Sequence, residues 1–367
     1  MVAVAFDLNF RHAAEIFAGV TDYLAQAKLD WQLLPLNFGF EERLMQLAAS
    51  GKLSGVIGSF VSDRWVAALR DYHVEAVNLF QFSEIRCIPS VSVDDFALGV
   101  EAGRHLQAQA ARSYAIYSAD RVHYNQLRRA GFMSVLPGER IQDLRAGPPV
   151  KAVLAALAEL PRPVGVFCAS DRLARDLIIA ARNLGWQIGQ DLLVLGVGNE
   201  PPESIFAEIG ISSFQLPTQE IGYRAARRLD QLKAGKGDGE WLSFASPAQL
   251  ISRESSLAPG PARLAQRAAN YIQEHLGEAT LDVGSLAETL GVSRRSLEQA
   301  FRAQFKTSPY RKLSEHRLKL ARELLNQSTL PVMEVGHRCG YPEPHHFSAW
   351  FKKQSGHSPK AFRTHPS

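Results

Sequence analysis

Arg294, Arg295, Ser296, Glu298, Gln299 and Arg302 fall on one side of a helical repeat whose other side is Leu297, Ala300, Phe301 and Phe305. Arginine and glutamine side chains match the donors and acceptors that base pairs expose in the major groove, so an outward face of this kind has the chemistry to read duplex DNA. Fifty residues on, the pattern recurs: Phe347 and Phe351 are spaced to face inward, leaving Pro344, His345, His346, Ser348, Ala349, Lys352 and Lys353 outside. The two lysines are placed to meet phosphates, which orient a protein on DNA without specifying sequence. Each of these side chains also has a plainer reading as an exposed solubility residue. His337, Cys339, His345 and His346 cluster in the sequence but match no zinc-ligand spacing, so no metal and no cofactor are expected. Nor is there a Gly-x-Ser-x-Gly elbow, a His-Glu-x-x-His helix or a phosphate-binding loop, and the chain does not read as an enzyme.

These faces need helices to carry them, and the local sequence supplies the signals. Val283, Leu286, Ala287 and Leu290 recur at i, i+3, i+4 and i+7, Gly291 permits a tight turn, and Ser293 is a good N-cap for the next helix. The second unit repeats the design, with Pro331 at a helix start, Val332 and Val335 inward, Gly340 at the turn and a helix from about Pro344. Between the units, residues 310–326 predict one long amphipathic helix through Leu313, Leu318, Ala321 and Leu325, which would set the distance between the two reading faces.

Upstream the rhythm is different. Strands are predicted over 2–6, 32–36, 55–58, 76–79, 114–117, 164–167 and 192–197, with helices such as 13–27, 98–108, 150–160 and 173–184, the last stopped by Gly185. Such alternation predicts parallel sheets with helices on both faces, and these bind ligands at the carboxyl ends of their strands. The alternation stops in the Ser-Ser-Leu-Ala-Pro-Gly-Pro stretch ending at Pro261, so the expected division is a domain over 1–253, a linker over 254–261 and a helical module over 262–367. A chain of 367 residues is long enough for this division.

Charge follows the same boundary. From residue 262 onward 16 Lys and Arg face 9 Asp and Glu, a balance of +7, whereas the preceding residues carry 25 against 28, or −3. Alone this is compatible with a solvated surface; beside two helix-turn-helix patterns it is the footprint of a polyanion partner. No apolar run is long enough to span a bilayer, the N-terminus reads as a first strand, and three widely spaced cysteines suit a reducing compartment, so a cytoplasmic location is expected.

The module over 262–363 resembles the AraC/XylS family of regulators. The resemblance rests on Leu286-Ala287, Gly291-Val292-Ser293, Leu297, Phe301, Ser308-Pro309-Tyr310, Arg317-Leu318, Gly340-Tyr341, Phe347, Phe351-Lys352-Lys353, Gly356, Ser358-Pro359 and Phe362-Arg363. It implies base-reading positions at Arg295, Glu298 and Gln299, then at His345, His346, Ser348 and Ala349. Gly336 stands where that family usually has alanine, which implies a loosening of its helix by about 1 kcal/mol.

Residues 2–253 resemble the periplasmic-binding-protein fold used by LacI-type regulators, through Asp94 with Gly99, Arg128 with Gly131-Phe132, Ser170 to Ala174, Leu195 to Gly198 and the closing Ser246 to Arg253. That resemblance implies a ligand held between two lobes by Asp94, Arg128, Ser170 and Asp171, with Asp7 or Asn9 added from the loop after the first strand. Carboxylates accepting from hydroxyls and an arginine fork would orient a sugar. Capping of the following helix is an alternative role for Asp94 and Asp171, and Arg128 has a second reading as a surface cation beside Arg129. Sugar-responsive relatives commonly carry an aspartate where this chain has Gly198, so one hydroxyl partner is missing and a different sugar or a non-sugar is open. The combined expectation is a ligand-responsive, dimeric DNA-binding regulator; the alternative is a solute-binding protein without gene control.

Overall fold

The computed structural model describes the chain apart from residues 9–11, 38, 119–121, 137, 139, 140, 146–149, 237, 238, 329 and 365–367, and apart from the side chains of 327 and 364. The backbone separates into two compact units, Met1–Ile251 and Ser252–Ser367.

The first unit begins with β1 (Val2–Ala5), α1 (Ala13–Ala27), β2 (Leu33–Leu36), α2 (Glu41–Ala49), β3 (Gly55–Gly58), α3 (Asp63–Arg70), β4 (Glu75–Leu79) and β5 (Ser90–Ser92). It crosses to a second lobe through α4 (Asp95–Ala108), β6 (Ser113–Ser118), α5 (His123–Ser134), β7 (Ile141–Arg145), α6 (Val150–Ala158), β8 (Val164–Cys168), α7 (Asp171–Asn183), β9 (Leu192–Val197), α8 (Pro201–Phe206) and β10 (Ser212–Gln215). Helix α9 (Thr218–Lys233) and β11 (Leu242–Phe244) return to the first lobe, and β12 (Gln249–Ile251) closes the second. The sheets have the orders β11-β5-β4-β3-β1-β2 and β12-β10-β9-β8-β6-β7, all pairs parallel except β10 with β12.

Each sheet is covered on both faces, which is why its central strands are apolar throughout rather than alternating. Ile16, Val20, Ile221 and Leu229 of α1 and α9 pack on one face of the first sheet, and Leu44, Leu47, Val66 and Leu69 of α2 and α3 on the other. In the second lobe Leu98 and Phe132 lie on one face and Val153, Leu157, Leu177 and Ile178 on the other. Five strands fall outside the predicted set: β5, β7, β10, β11 and β12. Apart from β7 they are short, and β5 and β10 are rich in serine; they are held by neighbouring strands rather than by their own propensity.

Glycine sets how closely the helices meet. A side chain on Gly99 would overlap the carbonyl of Arg128, and one on Gly131 would overlap the carbonyl of Phe96, so α4 and α5 pack backbone to backbone. Gly19 and Gly222 do the same for α1 and α9.

The second unit is helical: α10 (Pro261–Glu274), α11 (Val283–Thr289), α12 (Arg294–Phe305), α13 (Pro309–Gln327), α14 (Val332–Arg338), α15 (Pro344–Ser355) and α16 (Pro359–Thr364). One core gathers Ala268, Ile272, Leu286, Leu297, Phe301 and Leu313; another gathers Ala321, Leu325, Val335, Phe347, Phe351 and Phe362. Gly336 has a packing reason: a Cβ there would lie 3.1 Å from Cβ and Cγ of Phe347, so glycine lets α14 sit close against α15.

Gly131→Ala is expected to destabilise the first unit by about 3 kcal/mol, the upper range for overpacking, because the obstruction is backbone and cannot rotate away. Urea unfolding checks this; a loss below about 0.5 kcal/mol, the size of an ordinary surface substitution, would show that α4 and α5 separate at little cost.

Candidate functional site

The helical unit exposes the helix faces that the periodicity predicts. Ser293 caps α12, its Oγ accepting from the Ser296 amide at 3.1 Å, and Gly291 makes the preceding turn at φ 67°. Leu297, Ala300 and Phe301 are buried, while Arg294, Arg295, Gln299 and Arg302 are exposed and Glu298 is half-buried. Arg294 Nε donates to Glu298 Oε1 at 3.2 Å, so Glu298 is engaged along the helix, whereas Arg295, Gln299 and Arg302 make no side-chain hydrogen bond among the described residues. On α15, His345, His346, Ala349, Lys352 and Lys353 are exposed, Ser348 is half-buried, and the two imidazoles lie 4.2 Å apart. Cys339 is buried in the core beneath them, and burial pushes its thiol up to about 12.

What holds these two faces in one unit is a residue of α13. Arg317 is buried, and its Nε and Nη2 donate to the carbonyls of Leu276 and Glu278 at 3.1 and 2.7 Å. Its guanidinium also lies 5.3 Å from the ring centre of Tyr341, and a side chain on Gly340 would overlap it. Trp350 of α15 stacks on Tyr341 at 4.7 Å and donates to Ser314 Oγ at 3.2 Å. The α10–α11 connection, α13 and the second helix-turn-helix are therefore tied through one side chain.

In the first unit the carboxyl ends of both sheets face a cleft bridged by backbone. The amides of His123 and Tyr124 donate to the carbonyls of Phe82 and Gln81 at 3.0 and 2.8 Å, and the Phe82 and Tyr124 rings meet edge to face at 5.4 Å. The residues singled out from the sequence take these positions. Asp94 is half-buried and its Oδ1 caps α4, accepting from the Ala97 amide at 2.8 Å. Arg128 is not a surface cation; it is buried, its Nε donates to Asp95 Oδ1 at 2.8 Å, and its guanidinium lies 4.7 Å from the centre of the Tyr124 ring. Burial pushes the Asp95 carboxyl up, against the opposing pull of Arg128. The helix cap at α7 is Ser170, whose Oγ accepts from Leu173, and not Asp171.

Asp171 is 1% exposed and engages both oxygens internally, accepting from Ser213 Oγ at 2.6 Å and from the Glu200 amide at 2.7 Å. Gly196 is what makes room for that carboxylate, since a side chain there would overlap it. Asp7 is half-buried at the end of β1, and Asn9 lies outside the described residues.

Several cleft residues carried no sequence signal. Tyr124, Glu200 and the trio His12, Glu15 and Thr218 belong to this group: Glu15 Oε2 accepts from Thr218 and lies 3.0 Å from His12 Nδ1. Gly198 sits at φ 125°, a conformation that side chains avoid, and the position a Cβ would take is 3.2 Å from Glu200 Oε1 and 3.7 Å from His12 Nε2. The Glu200 carboxylate thus occupies the neighbourhood that a side chain at 198 would fill. Buried oxygens of Ser59, Gln81 and Ser92, near the carboxyl ends of β3, β4 and β5, have no hydrogen-bond partner among the described residues.

Sequence comparison assigns residues 286–365 to a helix-turn-helix domain and residues 104–256 to a periplasmic binding protein-like domain. The chain is a DNA-binding transcriptional regulator that joins a periplasmic binding protein-like domain to a helix-turn-helix domain. It is similar over 99% of its length to the xylose operon regulatory protein of Haemophilus influenzae, with 25% identity and 97% of that protein covered. The arabinose operon regulatory protein of Escherichia coli strain K12 shares 31% identity over 140 residues, 36% of this chain and 48% of that one. Among solved structures, that of a xylose-binding transcription activator shares the fold with a TM-score of 0.58, 22% identity and coverage of 99% of this chain and 97% of that one. Among the described residues no helix is long and apolar enough to cross a membrane.

Two outcomes follow from this geometry. Arg128→Ala leaves Asp95 buried without its cation and is expected to cost about 3–5 kcal/mol of stability; an unfolding midpoint equal to wild type would show that the pair is dispensable. On a duplex selected by the protein from a random pool, Arg295→Ala and Gln299→Ala should each cost about 1–3 kcal/mol, and far less on scrambled DNA. Lys353→Ala should weaken both duplexes alike and reduce the slope of log K against log salt by about 1. Equal losses on both duplexes for Arg295→Ala would show that it does not read sequence.

Proposed function

We propose that a sugar bound between the two lobes of the first unit sets the DNA affinity of the helical unit, and that the protein acts as a homodimer in the cytoplasm. The observation that carries the sugar is the full-length similarity to xylose operon regulatory proteins, joined to a cleft edged by hydroxyl-matching groups. Asp7, Asp94 and Glu200 offer carboxylates, Gln81 and Ser59 offer oxygens, and the Tyr124 and Phe82 rings offer the apolar faces that sugar C–H groups pack against. Asp171, Ser170 and Arg128 act here as positioning residues: they fix the 199–200 turn, the start of α7 and the α4–α5 wall. Glu200 replaces the carboxylate missing at 198, with a longer reach and a different angle, so the preferred sugar differs from xylose in the arrangement of one hydroxyl.

The base-reading side chains of the proposal are Arg295, Gln299 and Arg302 in the first unit of the module, with Glu298 released from Arg294 on DNA. His345, His346, Ser348 and Ala349 read from the second, and Arg294, Lys352 and Lys353 hold phosphates. Coupling passes through the chain after β12, where Glu254 accepts two hydrogen bonds from Asn270 Nδ2 of α10 at 3.1 and 3.0 Å. Only residues 252 and 253 separate that anchor from Ile251, the last residue of β12. A sugar then changes DNA affinity by the difference in its own affinity for the two arrangements.

A thermal-shift panel of pentoses and hexoses tests the sugar. A ligand at about 100 times its Kd should stabilise the fold by about 2.7 kcal/mol, and Glu200→Gln should reduce that shift while leaving the unliganded melting temperature in place. A panel in which no sugar raises the melting temperature would remove sugars as effectors. Sedimentation of the full chain decides the dimer.

A further inference from the structure

Two adjoining cavities open at the other end of the first lobe. Because every strand pair of its sheet is parallel, the carboxyl ends all face the cleft and the amino ends all face away from it. The cavities are lined at the starts of β4, β5 and β11, by Glu75, Ala76, Pro89 and Trp241 among others, so the length of β4 puts them ~16 Å from the cleft.

The larger cavity, about 230 Å3, is mainly apolar, walled by Val66, Val74, Ile88, Leu232 and the half-exposed indole of Trp241. The smaller, about 200 Å3, is lined by Arg224, Arg227, Arg228 and Gln231, faced by Ser90 and Ser243. The two share Pro89, Arg228 and Glu240. The four α9 residues stand at i, i+3, i+4 and i+7, a single stripe of donors on the side of the helix away from Ile221, Ala225 and Leu229. Arg228 is 8% exposed, its Nη2 donating to the Glu240 carbonyl at 2.7 Å. Arg224 is held by Glu220, with Nη2 at 2.6 Å from Oε1. Arg227 is exposed and makes no hydrogen bond among the described residues. Three guanidiniums in one concavity exceed the single carboxylate, Glu240, that lines it with them.

We infer that these cavities form a second effector site, distinct from the interlobe cleft, for a small organic phosphate whose apolar part enters the chamber beside Trp241. Guanidinium forks match phosphate oxygens bidentately, and a phosphate offers three acceptors and up to two charges to the three arginines where a carboxylate offers two acceptors and one.

Phenyl phosphate, inorganic phosphate and benzoate are the probes, titrated into the full chain by calorimetry and by tryptophan fluorescence. Phenyl phosphate is expected to bind saturably and at least about tenfold tighter than either of the others. Arg227→Gln and Arg224→Gln, which leave the buried Arg228 in place, should each weaken it by about tenfold. Trp241→Phe should remove the fluorescence change while calorimetric binding persists. No saturable binding of phenyl phosphate, binding undiminished in both arginine variants, or benzoate binding as tightly as phenyl phosphate would each overturn the assignment. The cleft sugar need not be known for any of these measurements, and Glu200→Gln should leave them unchanged.

Discussion

The close approach of α4 and α5 is the constraint on which the cleft depends. Because Gly99 and Gly131 carry no side chain, each helix rests on a carbonyl of the other, and at that separation Arg128 reaches Asp95. The ion pair is deeply buried, a situation in which Coulomb attraction roughly offsets desolvation, so its value is in geometry more than in net stability. It fixes the first turns of α5, and through them Tyr124, whose ring lies under the guanidinium and whose amide bridges to Gln81 in the other lobe. An opening of the lobes breaks the backbone bridges at His123 and Tyr124 while leaving the glycine contact and the ion pair intact, since both of these lie within α4 and α5. The cleft therefore has one wall held by helix packing and one edge bridged by backbone hydrogen bonds.

The helical unit uses the same device at a different place. A buried arginine, Arg317, donates to two carbonyls of the α10–α11 connection, and a glycine, Gly340, leaves the space it fills. Buried guanidiniums are costly unless their donors are engaged, so the carbonyls and the Tyr341 face together decide where α13 stops sliding. The consequence is that the α10–α11 connection, α13 and the segment leading into α15 share one anchor.

The exposed faces of α12 and α15 were legible in the sequence because a helix exposes its period. Leu297, Phe301, Phe347 and Phe351 mark the buried side, caps and turn glycines mark the ends, and the exposed remainder is given by subtraction. The alternating architecture of the first unit was legible for the same reason, since strands buried on both faces read as apolar runs. Short strands were not: Ser90–Ser92 and Leu242–Phe244 are strands only because a neighbour offers a partner.

The cleft residues were the least legible, and the cause is that their roles are set by contacts distant in sequence. Asp94 and Asp95 are adjacent carboxylates with no local feature to separate them, yet one caps a helix and the other meets Arg128, 33 residues away. Asp171 reads as a ligand or a cap; the cap of α7 is Ser170, and Ser213, 42 residues on, donates to Asp171 beneath Gly196. The glycine at 198 reads in the sequence as the loss of one hydroxyl partner; its positive φ and the Glu200 carboxylate beside it are set by the fold. A pattern of residue types reveals which chemistries a segment can supply, whereas the choice among them is made by whichever partner the fold brings within about 3 Å.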